Sequence, residues 1–314
     1  MKLLILAILF LLALLMASFF LTQFLALVAK NKLPATGKFT EVSGGTIHWI
    51  DAGEGETIVL IHGLGGNHHN FSYMLSGLSR KYRVISIDRL GSAWSTRKHL
   101  GCADLIAQAD AIVEFIDKEK LKRPLLVGHS LGGAFSLSVG IRFPEKIRGL
   151  ALICPACMTI NSTPEVFRDL EIRYPVVRTF LSNFLSGSLI LTKQKKFLTE
   201  IFKPEPVTPD FNIKGGALLS RLPSHFRTTC EDLIAAKASQ YTVSSKLVNL
   251  DIPTHVLFGE DDVILDAQQH GVAFSKMTGA KLEMIPGAGH MLPITQPQVC
   301  NKFIEDVMSD IGSS

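Results

Sequence analysis

The sequence predicts an α/β fold: a mostly parallel central sheet flanked by helices, with a helical cap inserted into it and one transmembrane helix in front. Three observations lead there. From Phe39 onward, short β-rich runs alternate with helix-length segments, the pattern of a parallel sheet with right-handed crossovers. Between about residues 158 and 245 that rhythm gives way to helical stretches punctuated by prolines at 164, 175, 204, 206, 209 and 223. The third is Leu3–Ala29, a run of 27 residues in which only Ser18, Thr22 and Gln23 are not apolar and none is charged. The expected organisation is an anchor and flank (1–38), a core (39–157 with 246–314) and a cap (158–245).

As a helix, the run would be roughly 40 Å long against a hydrocarbon core of roughly 30 Å, enough to span with tilt. A cleaved signal peptide would have a shorter apolar region and a small-x-small site. Here the best cut, after Ala29, would place Leu27 where a small residue is wanted. A single-pass membrane anchor is therefore expected. Lys2, Lys30, Lys32 and Lys38 account for the formal net charge of +4, and the body behind them is balanced. The lysine bias across the run leans the body to the cytoplasmic side. Five cysteines, an odd number, fit free thiols better than a disulfide framework. A neutral body without a basic stripe excludes a nucleic-acid binder, and 47% apolar content excludes a disordered chain.

In the body, strands are expected at Thr46–Asp51, Thr57–His62, Tyr82–Asp88, Pro124–Gly128 and Arg148–Cys154, with helices at Asp104–Lys120 and Leu131–Phe143. After the cap come a strand Pro253–Gly259, a helix Asp266–Met277, a strand Lys281–Ile285 and a last helix Gln296–Ile311. Continuous apolar runs such as IVLIHG and LLVGHS read as strands covered on both faces.

The chemistry centres on Gly128-His129-Ser130-Leu131-Gly132-Gly133, between the strand PLLVG and a helix. Chance alone gives G-x-S-x-G in roughly one chain in ten of this length, so the flanking strand and helix give the motif its weight. A nucleophile on such a turn projects from the carboxyl end of the sheet above a helix N-terminus, and Gly128 and Gly132 let the backbone reverse. Serine needs a base. His290, in Pro286-Gly287-Ala288-Gly289-His290 after the strand KLEMI, is the best-placed histidine; His129 should point away from Ser130, and His62 should shape its loop. The imidazole needs an orienting carboxylate. Asp262 in Gly259-Glu260-Asp261-Asp262 is the choice, with Asp261 its rival, since Cys154-Pro155-Ala156 after the other candidate strand offers no acid. Backbone N–H groups of Leu64, in His62-Gly63-Leu64-Gly65-Gly66, and of Leu131 are the expected oxyanion donors.

With these pieces in chain order Ser, Asp, His, the sequence resembles the α/β-hydrolase fold family, in its group with a helical cap, over about residues 39–311. HGLGG, Asp88-Arg89-Leu90-Gly91-Ser92-Ala93-Trp94-Ser95, GHSLGG, GEDD and GAGH carry the resemblance. Ala93 departs from the D-x-x-G-x-G-x-S pattern, which has glycine there; the departure bears on the loop, not the chemistry. The resemblance implies a serine nucleophile rather than the aspartate of dehalogenase-like and epoxide-hydrolase-like members. It leaves esterases, lipases, thioesterases, some carbon-carbon bond hydrolases and perhydrolase-like members.

Two other signals are set aside. Cys154-Pro155-Ala156-Cys157 fits a C-x-x-C pattern but reads as structural or pocket-lining thiols. His68-His69 has no carboxylate or cysteine at ligand spacing and reads as a polar loop, so no metal site is expected. Seven phenylalanines (167, 180, 184, 197, 202, 211 and 226) fall in the cap, too slight an excess to define an acyl pocket. The expected function is a cofactor-independent serine esterase or lipase acting on small-molecule or lipid esters with apolar acyl groups. The alternatives are a thioesterase or carbon-carbon bond hydrolase and, from another class, a binding or receptor module with little turnover.

Overall fold

The computed structural model describes residues 1–159 and 162–312. The chain opens with α1 (Lys2–Lys32), followed by β1 (Lys38–Val42), β2 (Gly45–Ala52), β3 (Thr57–Ile61), α2 (Ser72–Leu78), β4 (Arg83–Ile87), the two-residue β5 (Thr96–Arg97) and α3 (Leu105–Lys118). Next come β6 (Leu125–His129), α4 (Leu131–Arg142) and β7 (Gly149–Ile153). Then α5 (Pro175–Phe184), α6 (Ser186–Phe202) and α7 (Pro223–Ser244) stand before β8 (Thr254–Gly259), α8 (Phe274–Thr278), β9 (Lys281–Ile285), α9 (Leu292–Thr295) and α10 (Pro297–Gly312).

The strands form one sheet in the order β1-β2-β4-β3-β6-β7-β8-β9, with β5 pairing β2. Pairing is parallel from β4 through β9 and antiparallel where β2 meets β1, β4 and β5. Every residue of β3, β6 and β7 is buried, which explains their unbroken apolar sequences. The pairs α3–α4 and α2–α10 flank the sheet. Asp104 starts α3 by accepting the backbone N–H groups of Ile106 and Ala107 through its side chain.

Two expectations are corrected. The body's first strand is β1, which pairs antiparallel with β2 at the sheet edge; its polar pattern, KFTEV, hid it. The segment Asp266–Met277 is not uniform: Gln268–Ala273 is a π-helical turn, and α-helical geometry begins only at Phe274.

Between β7 and β8 the described residues form helices and loops and contribute no strand. Of these, α7 bridges to the core by packing on α3 and α4, while α5 and α6 receive α1. By length and composition α1 can cross a membrane, its most apolar 18 residues having a mean hydropathy of 3.0. Its two parts differ. Leu3–Leu14 is exposed on every side, whereas from Leu15 onward a stripe including Thr22, Leu25, Ala26 and Ala29 is covered by the cap. The three polar residues of the apolar run all lie in this second part and all bond the cap. Ser18 donates to the Phe184 carbonyl (2.6 Å), the Gly187 N–H donates to Thr22 (3.2 Å), and Gln23 donates to the Asn183 carbonyl (3.5 Å).

Candidate active site

Because β6, β8 and β9 belong to the parallel part of the sheet, the segments that leave them emerge at one edge. Ser130 directly follows β6 and is the N-cap of α4, with φ 54° and ψ −124°. That left-handed conformation is costly for a residue with a side chain and is maintained by the strand-to-helix turn around it. A Cβ at Gly132 would overlap the Ile61 carbonyl oxygen, so only glycine lets α4 start this close to β3. The turn is closed by the Ser130 N–H donating to Ile153 and the Ala156 N–H donating to Ser130.

Asp262, three residues past β8, and His290, five past β9, meet Ser130 at this edge. The Asp262 side chain is fully buried. One carboxylate oxygen accepts the N–H groups of Ile264 (2.8 Å) and Leu265 (2.9 Å), and the other faces His290 Nδ1 at 2.7 Å. On the other side of the ring, His290 Nε2 lies 2.9 Å from Ser130 Oγ. Burial raises the Asp262 carboxyl, but the facing imidazole and the two N–H groups outweigh it and hold the group below its ordinary range. With Asp262 ionised, Nδ1 carries the proton and Nε2 accepts from Ser130 Oγ–H. Asp261, the rival, is exposed.

The loop after β3 passes close over the serine. A Cβ on Gly63 would lie 2.8 Å from Ser130 Cβ, so the glycine is required by that approach. Leu64 follows it, and Leu131 is the first residue of α4; among the described residues neither backbone N–H donates to a protein acceptor. His62 bonds within this loop and to the next: its Nδ1 donates to the Gly63 carbonyl (2.8 Å) and its Nε2 accepts the Arg89 N–H (3.1 Å). Burial drives its pKa well down, so the ring stays neutral. His129 is turned toward the base loop, Nε2 donating to the His290 carbonyl at 2.9 Å, with burial pulling its pKa down to about 3. Gly128 lies within β6.

Several residues around the site were not singled out from sequence. Arg89 donates to the His62 and Gly63 carbonyls, both at 3.0 Å, and to Asp232 of α7, also at 3.0 Å. Arg97 joins the same carboxylate and bonds Glu231 at 2.8 Å. His225, also on α7, accepts the Ala93 N–H (2.9 Å) and donates to the Gly65 carbonyl (3.0 Å). Ala93 itself has φ 44°, the conformation that the missing glycine would favour. Glu205 of the cap accepts the Gly289 N–H at 3.1 Å, beside His290. Arg89 and Ala93 lie within a quoted motif, but no spacing rule points to the α7 residues.

The reason for setting His68 aside needs correction. Asp88 does reach it: one carboxylate oxygen lies 3.0 Å from His68 Nδ1, and the other lies 2.8 Å from His48 Nδ1, in a fully buried cluster. Those ring nitrogens are hydrogen-bonded to the carboxylate, which also accepts the N–H groups of His68 and Trp94. Burial raises the Asp88 carboxyl, but the two histidines outweigh it and hold it well below its ordinary range. Cys154 and Cys157 are free and buried, and burial pushes both thiols well up, against a reactive role. Six of the seven cap phenylalanines pair with one another, as 167 with 197, 180 with 184 and 202 with 211.

Comparison with known proteins bears on the fold that carries these residues. Monoacylglycerol lipase ABHD6 of Rattus norvegicus is 22% identical over 271 residues, covering 82% of this chain and 77% of its own. Among solved structures, an enol-lactonase from Burkholderia xenovorans LB400 superposes with a TM-score of 0.70 at 20% identity, over 87% of this chain and all of its own. A bacterial membrane phospholipase A superposes with a TM-score of 0.66 at 23% identity, over the whole of both chains. At these identities the structures speak for the fold. Residues 56–297, most of the chain, match the family described as alpha/beta hydrolase fold, and the protein belongs to that family.

Proposed function

We propose that the protein is a membrane-anchored serine hydrolase that cleaves carboxylic esters of apolar acyl groups, with Ser130, His290 and Asp262 as its triad and residues 158–245 as its cap. The observation that supports this best is the unbroken hydrogen-bond chain from Asp262 through His290 to Ser130 on a left-handed turn. The name of the monoacylglycerol lipase relative supports ester chemistry.

On this reading Ser130 Oγ attacks the ester carbonyl while its proton passes to His290 Nε2. The carbonyl oxygen becomes an oxyanion held by the Leu64 and Leu131 N–H groups. His290, its charge stabilised by Asp262, protonates the departing alcohol as the carbon-oxygen bond breaks, leaving an acyl-serine. Water enters, gives its proton to His290 and attacks the acyl carbon. Collapse releases the acid and returns the proton to Ser130. The substrate is a small-molecule or lipid ester, and α1 keeps the enzyme beside lipid.

Replacing Ser130 with Ala is expected to lower turnover of short p-nitrophenyl esters by about 10⁴-fold or more. Undiminished turnover by the purified, folded variant would overturn the assignment.

A further inference from the structure

We propose that the α5–α6 corner of the cap is itself a membrane-docking surface, seated at the headgroup boundary of the same bilayer that α1 enters. This rests on the anchoring reading above and extends it to a second, non-spanning part of the chain.

The exposed part of α1 is too short to span a bilayer by itself. Crossing a hydrocarbon core of roughly 30 Å takes about 20 helical residues. The part of α1 exposed on every side, Leu3–Leu14, supplies only about 18 Å of that at 1.5 Å per residue. The remaining depth falls on Leu15–Thr22, the stretch that carries the cap on one face. Ser18 bonds the end of α5, and Thr22 bonds the start of α6, so this corner of the cap lies level with the end of the span. Tilting α1 increases the length of helix needed and draws the corner deeper.

The surface of the corner suits that depth. Phe20, exposed on α1, packs on Phe19, which packs on Phe184 of α5 (centroids 5.2 Å apart), and Phe184 stacks on Phe180 (5.0 Å). An aromatic strip thus runs without a break from the outer face of α1 onto the outer face of α5. It continues into Tyr174, Val176 and Val177, all exposed, with Val176 81% accessible. The opposite face of α5 is turned inward, Arg178 and Ser182 being buried. So α5 is an amphipathic helix whose apolar side meets α1 at Phe184, is exposed from Tyr174 to Phe180, and is continuous with a helix suited to lipid.

Charge agrees. Lys193, Lys195 and Lys196 follow within about three turns of the corner on α6, and Arg173 directly precedes α5; all four are exposed. Two of them are balanced by carboxylates, Lys193 by Asp169 and Arg173 by Glu171. Cationic side chains flanking an apolar patch are the arrangement that meets phospholipid headgroups, more strongly when some are anionic. Gly187 fixes the corner against α1: a Cβ there would lie 2.8 Å from Thr22 Cα, so the two helices touch backbone to backbone.

The test uses the full chain reconstituted in phosphatidylcholine–phosphatidylglycerol vesicles with and without lipids brominated on the acyl chain, which quench tryptophan they touch. Three single variants are compared after subtracting the native signal of Trp49 and Trp94. Phe10→Trp reports the anchor, Phe180→Trp reports the corner, and Val248→Trp reports an exposed apolar position that the proposal leaves in water. Loss of emission from positions 10 and 180 but not 248 is the expected result. Quenching at 10 without quenching at 180 overturns the docking surface and leaves the anchor standing. Equal quenching at 180 and 248 overturns the specific surface, and absence of quenching at 10 overturns the anchoring reading together with everything built on it. Circular dichroism of each variant confirms that the comparison is among folded proteins.

Discussion

At the carboxyl edge of the sheet, Ser130, Asp262 and His290 each follow a strand, and the parallel ladder brings their three segments together. The cap is attached differently, through side chains: buried apolar ones such as Phe202 and Ala236 that join the core, and polar ones such as Asp232 on Arg89 and His225 on Gly65, with Ser18, Thr22 and Gln23 of α1 bonding the α5–α6 corner. A sheet edge built from backbone hydrogen bonds is rigid and tolerant of changes in the side chains around it. A seam built from side chains draws its stability from those side chains. Substitutions at the edge should therefore affect chemistry with little effect on folding, whereas substitutions in the seam should chiefly affect folding and reach the chemistry only where, as at Asp232, the seam also holds a site loop.

The sharpest separation is expected from Asp262→Asn. The carboxamide keeps the shape, and its carbonyl oxygen still accepts from Ile264 and Leu265, but it no longer favours the charged imidazole or its tautomer. Turnover should drop on the order of 10⁴-fold while the thermal midpoint moves little, as stopped assays and calorimetry on one preparation would show. A large loss of stability with activity retained would reverse the comparison.

Asp232→Ala is the counterpart in the seam. It leaves Arg89 buried with only carbonyl partners and removes one of the carboxylates on Arg97, which should cost about 3–5 kcal/mol in denaturant unfolding. Because Arg89 also holds the His62 and Gly63 carbonyls, the folded variant should lose part of the order of the loop proposed to hold the oxyanion, read as a lower kcat with KM less affected. Gly187→Val should cost less, about 1–3 kcal/mol, by forcing α6 off Thr22. Its effect should be confined to protease susceptibility of the α1–cap junction.

The smallest expected effect concerns acid. The Asp88 carboxyl is held well below the ordinary value of about 3.9 in the folded protein. The stabilisation it brings is complete above that value and is lost as pH falls through the folded one. Asp88→Asn should therefore be less stable at neutral pH and should show a shallower fall in stability below about pH 4, measured by unfolding at a series of pH values. An unchanged acid limb would mean that other groups set it.

The same contrast explains what the sequence revealed. Strands covered on both faces are written as unbroken apolar runs, and the turns at their ends demand glycine, so β3, β6, β7 and the residues Ser130 and His290 could be read one segment at a time. Asp262 was legible because the strand before it ends beside a short acidic run. The edge strand β1 was not, since KFTEV is mostly polar and only its pairing with β2 makes it a strand. Asp232 and Arg89 are 143 positions apart, and nothing local to either marks the other. Likewise Asp88 joins His48 and His68 across 40 and 20 positions, which is why spacing alone gave His68 no acid. The polar residues Ser18, Thr22 and Gln23 were visible as interruptions of an apolar run, but their purpose appears only when the cap is folded against them.

The central claim is that Ser130 is the nucleophile, activated by His290. The most direct measurement is labelling of the full-length protein with a fluorophosphonate, followed by peptide mapping, alongside a His290→Ala variant. The account predicts a single phosphonylated residue, Ser130, in the unchanged protein and a severe loss of labelling in the variant. Ester turnover by a protein whose Ser130 stays unlabelled, or labelling that does not depend on His290, would contradict it.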